Sequence, residues 1–200
     1  MSEFVYLASK SPRRRQLLEQ IGVRFELLLP DALENAEALE TEQAGELPSD
    51  YVRRVTLAKL EASRDRRVRH GLPIAPVLCA DTTVSLGCRI LGKPANPQEA
   101  FKTLQLLSGQ THQVFTAVAL AWKEKIGLTL SISNVRFAAL SEAQIWRYIQ
   151  TEEPFEKAGA YAIQSAAASW VSHIEGSYSG IMGLPLFETS ELLRQAGWPI

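Results

Sequence analysis

Residues 4–29, FVYLASKSPRRRQLLEQIGVRFELLL, place a strand, a helix and a second strand in close succession. The apolar run at 4–8 predicts a short buried strand. Pro12 suits the first turn of a helix, where its missing N–H has no partner to lose, and Gly22 is a typical helix stop. Residues 23–29 then predict a second strand. This stretch indicates a fold in which strands and helices alternate.

The rest of the chain continues the alternation. We predict a loop at 30–48, helices at 50–69, 97–107, 141–151 and 185–196, two strands within 74–91 joined at a turn containing Gly87, and strands at 111–121, 128–137 and 169–175. Residues 153–164 fit no element. Alternating strands and helices favour an α/β fold, with a mixed twisted sheet between flanking helices.

Length and charge exclude several classes of protein. Two hundred residues favour one domain, 1–200. A formal net charge of −1 provides no global field that would attract a nucleic acid polymer or an anionic membrane. No stretch reaches the roughly 20 apolar residues of a membrane span. Because the first 15 residues also lack the long apolar region of a signal peptide, we expect a cytoplasmic protein.

The cysteines and the histidine near mid-chain do not indicate a metal or redox site. Cys79 and Cys88 are outside any CxxC arrangement and far from a pair of histidines, so we expect reduced thiols. His112 lies in SGQTHQVFT, at a predicted turn from helix to strand. We interpret it as a turn or core residue rather than a ligand.

The turn before the first helix is a candidate phosphate site. Ser9, Ser11, Arg13 and Arg14 fall within six positions at a predicted helix N-terminus. Free backbone N–H groups there suit a phosphate, and arginine adds bidentate hydrogen bonds. A capped helix with a solvated basic face explains the same residues, and both interpretations stay open at this point.

Asp81 is unusual because it interrupts the buried-strand pattern of CADTTV. A carboxylate inside a strand is costly unless it is paired, bound to metal or hydrogen-bonded, although a strand end or bulge would also accommodate it. Lys59 lies on the predicted helix before this strand, and Lys93 lies in the GKP turn after it. With Arg13 and Arg14 they form a set suited to metal-assisted attack on a phosphate ester.

Seven motifs together resemble the Maf family of nucleoside triphosphate pyrophosphatases. They are LASKSPRRRQLL, YVRRVTLAK, ADTTV, LGKP, LSGQTHQVFTAV, EPFEKAGAYAIQ and GSYSGIMGLPLFET, and they span about residues 5–195. The resemblance implies two lobes around a cleft, related to the inosine-triphosphate pyrophosphatase (Maf/Ham1-like) architecture, in a possible homodimer. It also implies hydrolysis of a nucleoside triphosphate to the monophosphate and pyrophosphate with Mg²⁺ or Mn²⁺, and a house-cleaning role.

The resemblance also implies a role for each matching residue. Asp81 would accept the proton of a water that attacks the α-phosphorus, and would share a metal ion with Glu34. Triphosphate binding and charge compensation would fall to Ser9, Arg13, Arg14, Lys59 and Lys93.

Substrate choice within the family depends on fewer positions. Thr82 and Gln164 match the branch that acts on dTTP and UTP, so with Arg13 they are the expected specificity residues. A glutamine amide can both donate to and accept from a pyrimidine edge. Two alternatives stay open: a 7-methyl-GTP pyrophosphatase, and a nucleotide-binding regulator of septum formation with little turnover.

Two departures from the family pattern stand out. The acidic pair after the second strand becomes Leu33 and Glu34, and the acidic loop offers substitutes for the metal ligand in Glu37, Glu40 and Glu46. Ser165 replaces a family glycine directly after Gln164. A side chain there would restrict the backbone or crowd a base pocket.

Overall fold

The computed structural model describes residues 3–31, 34–35 and 37–200. Seven strands form one sheet: β1 (Val5–Leu7), β2 (Phe25–Leu27), β3 (Val77–Leu86), β4 (Arg89–Leu91), β5 (Thr111–Trp122), β6 (Lys125–Phe137) and β7 (Val171–Glu175). The helices are α1 (Pro12–Gln20), α2 (Pro48–Arg69), α3 (Pro97–Leu107), α4 (Glu142–Ile149), α5 (Tyr178–Met182) and α6 (Leu186–Gln195).

The sheet is mixed, as predicted. Its strand order is β2-β1-β3-β5-β6-β7, and β4 pairs with β3 off this path. β1 is parallel to both β2 and β3, whereas the remaining pairs are antiparallel. With helices packed against it, this sheet confirms the predicted α/β class.

Helices cover both faces of the sheet where β1 pairs with β3. Successive side chains of a strand point to opposite faces. Val5 and Leu78 accordingly pack with Leu18 of α1 and with α6, whereas Tyr6 and its neighbours pack with Leu60 of α2 on the other face. The first helix and the long second helix are therefore on opposite sides of β1 and β3.

A second group of buried side chains lies at the other end of the long strands. Val84, Val114 and Phe137 pack there with α3, with α4 and with residues 158–170. A cavity lies between the two groups, which is the two-lobed arrangement expected from the sequence. That residues 1–200 form a single domain stays a prediction, supported by the one sheet that both groups share.

The boundaries differ from prediction mainly where the chain is polar or rich in glycine. The loop at 30–48 contains a 3₁₀-helix at Glu37–Glu40, and the unassigned stretch contains another at Ala158–Ala160. The glycine-punctuated loop before the last helix holds the short α5. Among the described residues, no helix has the length and apolar character to cross a membrane.

Candidate active site

A cavity of about 500 Å³ opens beside β3. β1 pairs with β3 only as far as Leu78, and β4 pairs with the same edge only from Val84. Between them, the edge of β3 at residues 79–83 faces the cavity instead of a strand. This gap explains how Asp81 is tolerated inside a strand, since its side chain stays 13% exposed there.

Two lysines and two carboxylates form a continuous chain of ion pairs along one wall. Lys59 Nζ donates to Asp81 Oδ1 at 2.6 Å and to Glu40 Oε1 at 2.7 Å. Lys93 Nζ donates to the other oxygen of Glu40, Oε2, at 2.9 Å. Helix α2, strand β3, the 3₁₀-helix and the turn after β4 therefore each supply one charged group to the same wall.

The pKa values of Glu40 and Lys93 are shifted so that both groups are ionised. Burial opposes ionisation of Glu40, but the charge of Lys59 and hydrogen bonds from both lysines outweigh it, so the pKa of Glu40 is below its ordinary value. Burial also opposes protonation of Lys93, and its bond to Glu40 outweighs that effect, so the pKa of Lys93 is raised. At neutral pH Glu40 is anionic and Lys93 is cationic.

Glu34 lines the same cavity, but its hydrogen bonds go to arginines of α2 and not to the two lysines. Both oxygens of its carboxylate accept hydrogen bonds from Arg66, and Arg69 adds a third at 2.7 Å. These bonds, those of Arg66 first, lower the pKa of Glu34. Arg66 is 3% exposed and also donates to the Leu28 carbonyl at 2.6 Å, so the group is part of the packed fold.

Among the acidic side chains that the structure describes in this loop, Glu40 shares a lysine with Asp81. The side chain of Glu37 lies outside the described part of the chain. Glu46 pairs with Arg54 at 2.6 Å, away from the cavity wall. Leu33, the first position of the family's acidic pair, lies outside the described residues. The geometry therefore favours Glu40 over Glu34 as the second carboxylate of the site.

Arg14 is held by the protein on three sides. It donates to Ser9 Oγ at 3.1 Å, to Thr82 Oγ1 at 3.3 Å and to the Gly183 carbonyl at 2.7 Å. Burial lowers the pKa of Arg14, and the Asp81 carboxylate acts in the opposite direction. The residue joins the opening turn, β3 and the end of α5, and these bonds fix the shape of the cavity.

Arg13 and Gln164 are different, because neither side chain makes a hydrogen bond to any described residue although both line the cavity. Burial lowers the pKa of Arg13, and the charge of Glu153 opposes this effect. A cation and an amide with unused donors are thus available to a ligand. Arg15, on the same helix, is not among the cavity's lining residues.

Thr82 contributes its hydroxyl to the framework. Its Oγ1 is 3.0 Å from Thr116 Oγ1, and Thr116 donates to the Gly180 carbonyl at 2.8 Å. With Arg14 on its other side, the hydroxyl is surrounded by protein partners. Direct readout of a base by Thr82 would require these bonds to exchange.

The structure adds lining residues that the sequence did not single out: Lys10, Arg66, Glu156 and Lys157. Lys157 was visible as the basic residue of EPFEKAGAYAIQ, and its Nζ donates to the Glu153 carbonyl at 2.6 Å. The sequence did not distinguish Arg66 as a lining residue, because it lies on a helix that contains several other arginines.

His112 is a core residue, as interpreted. It is 1% exposed, and its Nε2 lies 2.8 Å from Tyr161 Oη. Burial lowers its pKa to about 4, so the imidazole is neutral near pH 7.

Protein groups alone do not complete a metal site. Across residues 3–31, 34–35 and 37–200, no group of three His, Cys, Asp or Glu side chains could hold an ion. Asp81 and Glu40 do present two carboxylates around one ammonium group. Hard oxygen donors of this kind fit Mg²⁺ or Mn²⁺, with phosphate oxygens and water as the remaining ligands.

Known proteins match this chain over nearly all its length. It is 56% identical over 200 residues to a dTTP/UTP pyrophosphatase of Albidiferax ferrireducens, with all of both chains covered. It is 58% identical over 196 residues to a dTTP/UTP pyrophosphatase of Cupriavidus pinatubonensis, covering 98% of each.

Among solved structures, a nucleoside-triphosphatase / dITP/XTP pyrophosphatase from Mycobacterium abscessus matches with a TM-score of 0.40 and 17% identity. That match covers 68% of this chain and 75% of the other. A family model described as Maf-like protein matches residues 4–196. The chain that carries this site therefore belongs to the Maf family.

Proposed function

We propose that this protein hydrolyses nucleoside triphosphates to the monophosphate and pyrophosphate, with dTTP and UTP as its substrates. The observation that carries the proposal is the ion-pair chain of Asp81, Lys59, Glu40 and Lys93, in one cavity with the unpaired Arg13. A guanidinium with no hydrogen-bond partner among the described residues suits a triphosphate. The dTTP/UTP pyrophosphatases named above support the choice of substrates.

The carboxylate of Asp81 is the proposed proton acceptor. The oxygen of a water molecule bonds to the α-phosphorus while Asp81 takes one of its protons. The bond between that phosphorus and the bridging oxygen breaks, and pyrophosphate leaves with the electron pair. Lys59, 2.6 Å from Asp81, orients the carboxylate toward the cavity.

Fixed cations stabilise the charge that develops on the leaving group. Lys93 and Arg13 reach the cavity from separate elements, so both can contact one triphosphate. Because Glu40 already holds Lys93 in place, little reorganisation of this charge is needed during the reaction. Arg14 stabilises this part of the cavity through its hydrogen bonds to Ser9 and Thr82.

Gln164 and Arg13 are the proposed contacts to the base. Uracil and thymine present a carbonyl acceptor beside an N–H donor, and one amide side chain can match both. Thr82 would affect the choice of base indirectly, through the hydrogen bond that it accepts from Arg14. Guanine also presents a carbonyl beside an N–H, so the expectation that 7-methyl-GTP is a poor substrate rests on the dTTP/UTP pyrophosphatases named above.

A divalent cation, Mg²⁺ or Mn²⁺, belongs to the proposal, with Asp81 and Glu40 as the residues that would hold it. When bound, such an ion neutralises charge on phosphate oxygens and lowers the barrier to attack. A homodimer and a cytoplasmic location are proposed from the family resemblance alone.

The test is a substrate panel with product analysis. The purified protein is incubated with each common ribo- and deoxyribonucleoside triphosphate and with 7-methyl-GTP, in Mg²⁺ or Mn²⁺, with chelator controls. We expect UTP and dTTP to give the monophosphate and pyrophosphate in equal amounts. Diphosphate plus phosphate would exclude attack at the α-phosphorus, and tight binding without turnover would favour a regulatory protein.

A further inference from the structure

Ser165 follows Gln164 in a turn that the cavity mechanism has not used. Its backbone is extended, with φ −120° and ψ −156°, which any residue adopts without strain. Ser165 Oγ lies 2.8 Å from the Ala162 carbonyl and 2.5 Å from Glu153 Oε2. The side chain therefore leaves the backbone unrestricted, and its one hydroxyl proton is shared between these two acceptors, the nearer being the carboxylate.

The turn is anchored at both ends of Ala162. Its N–H donates to Tyr148 Oη at 3.1 Å, and its carbonyl accepts the Ser165 N–H at 3.2 Å. Tyr148 is a buried residue of α4. With this end fixed, the Ser165 bond to Glu153 decides how the exposed Gln164 is presented to the cavity.

Glu153 lies in the segment before this turn and accepts hydrogen bonds at both its side chain and its backbone. Its Oε2 accepts the bond from Ser165 Oγ, and its carbonyl accepts the bond from Lys157 Nζ at 2.6 Å. This carboxylate therefore ties the residue next to Gln164 to the segment that precedes the turn.

We infer that Ser165 and Glu153 are positioning residues that set the selectivity of the site for the base. The inference rests on the proposed function and deepens it. Ser165 holds the turn so that the Gln164 amide meets the Watson–Crick edge of the base. Glu153 holds Ser165 in place by accepting the hydrogen bond from its hydroxyl.

UTP and CTP are the most informative pair of substrates, because they differ only at the base edge. One neutral hydrogen bond between the Gln164 amide and the base corresponds to about a fivefold effect. We expect Ser165→Ala to lower the ratio of kcat/KM for UTP over CTP by about fivefold. The kcat for UTP should stay within about twofold of wild type, because Ser165 does not touch the catalytic carboxylate.

Tripolyphosphate, which has no base, separates base selectivity from triphosphate binding. Its inhibition constant should not change in Ser165→Ala. Glu153→Gln keeps an acceptor for the Ser165 hydroxyl, so this variant should retain most of the UTP preference. Ser165→Thr, which retains the hydroxyl, should restore the UTP preference.

Ser169→Ala is the matched control. Ser169 Oγ makes the same kind of bond to a carbonyl three residues earlier, that of Ala166 at 2.8 Å, but contacts no carboxylate. It should leave the UTP to CTP ratio unchanged.

A wild-type UTP to CTP ratio in Ser165→Ala, or an equal loss in Ser169→Ala, would overturn the inference. If wild type turns over neither nucleotide, the proposed function fails separately. The same ratio is then taken from calorimetric binding of UTP and CTP, where an unchanged ratio in Ser165→Ala is again the contrary result.

Discussion

Replacing Glu40 or Glu34 by glutamine should have opposite effects on catalysis and stability. Glu40 accepts hydrogen bonds from Lys59 and Lys93 in the cavity, so Glu40→Gln removes a charge from the reacting site. Glu34 neutralises the buried Arg66, so Glu34→Gln removes a charge from the folded framework. The two substitutions are chemically identical and lie in the same loop.

The magnitudes follow from the partners and their exposure. Loss of Glu40 disturbs two bonds between charged groups and leaves Lys59 to neutralise Asp81 fully. We expect kcat to fall about 100-fold, equivalent to about 2.7 kcal/mol of barrier. Because the Glu40 side chain is 30% exposed, the free energy of unfolding should change by about 1 kcal/mol or less.

For Glu34→Gln, the uncompensated Arg66 charge should cost about 3 kcal/mol of unfolding free energy. For a chain of this size, that lowers Tm by about 6–12 °C. The kcat of the folded protein should stay within about threefold of wild type, since Glu34 shares no hydrogen bond with Asp81.

Steady-state turnover of UTP and thermal unfolding, measured on the same preparations, decide between these outcomes. The loss of kcat should be confined to Glu40→Gln and the loss of Tm to Glu34→Gln. If Glu34→Gln instead loses turnover with an unchanged Tm, the second carboxylate of the site is Glu34, and the assignment of Glu40 is wrong.

Three further predictions concern binding, pH and thiol chemistry. Arg13→Ala should raise KM for UTP about tenfold at unchanged Tm, because the Arg13 guanidinium has no hydrogen-bond partner among the described residues. The control Arg15→Ala should change neither KM nor Tm. Equal effects of the two variants on KM would contradict this prediction. Burial lowers the pKa of His112 to about 4, so its neutral form contributes stability above the unfolded pKa of about 6.5 that is lost as pH falls toward 4. Urea titrations should show that loss as about 3 kcal/mol, and an identical pH dependence in His112→Gln would refute it. Native protein should react rapidly with one equivalent of a thiol reagent, at the exposed Cys88, because Cys79 is buried and its pKa is raised to about 11. Rapid reaction of two thiols per protein would contradict this prediction.

The sequence predicted best those elements whose pattern is local. The long strands at 111–121 and 128–137 and the helix at 97–107 match the structure closely, because their periodicity reflects burial along one element. The short α5 escaped prediction, since it lies in a glycine-rich segment with a weak helical pattern.

Within the site, the sequence named the charged residues but not their partners. Asp81, Lys59 and Lys93 do meet in one cavity. The choice between Glu34 and Glu40 depended on Arg66, which is distant in sequence from the loop that it binds. The Arg14 bond to the Gly183 carbonyl joins the two ends of the chain, and only the packed fold shows it.

Turnover of UTP by Asp81→Asn tests the central claim most directly. Asparagine preserves the size of the side chain and can still accept a hydrogen bond from Lys59, but it cannot take a proton from water. We expect kcat to fall by about 10³-fold, within the usual contribution of a general base, while Tm and the affinity for tripolyphosphate stay near wild type. Undiminished release of UMP and pyrophosphate by folded Asp81→Asn would contradict the account.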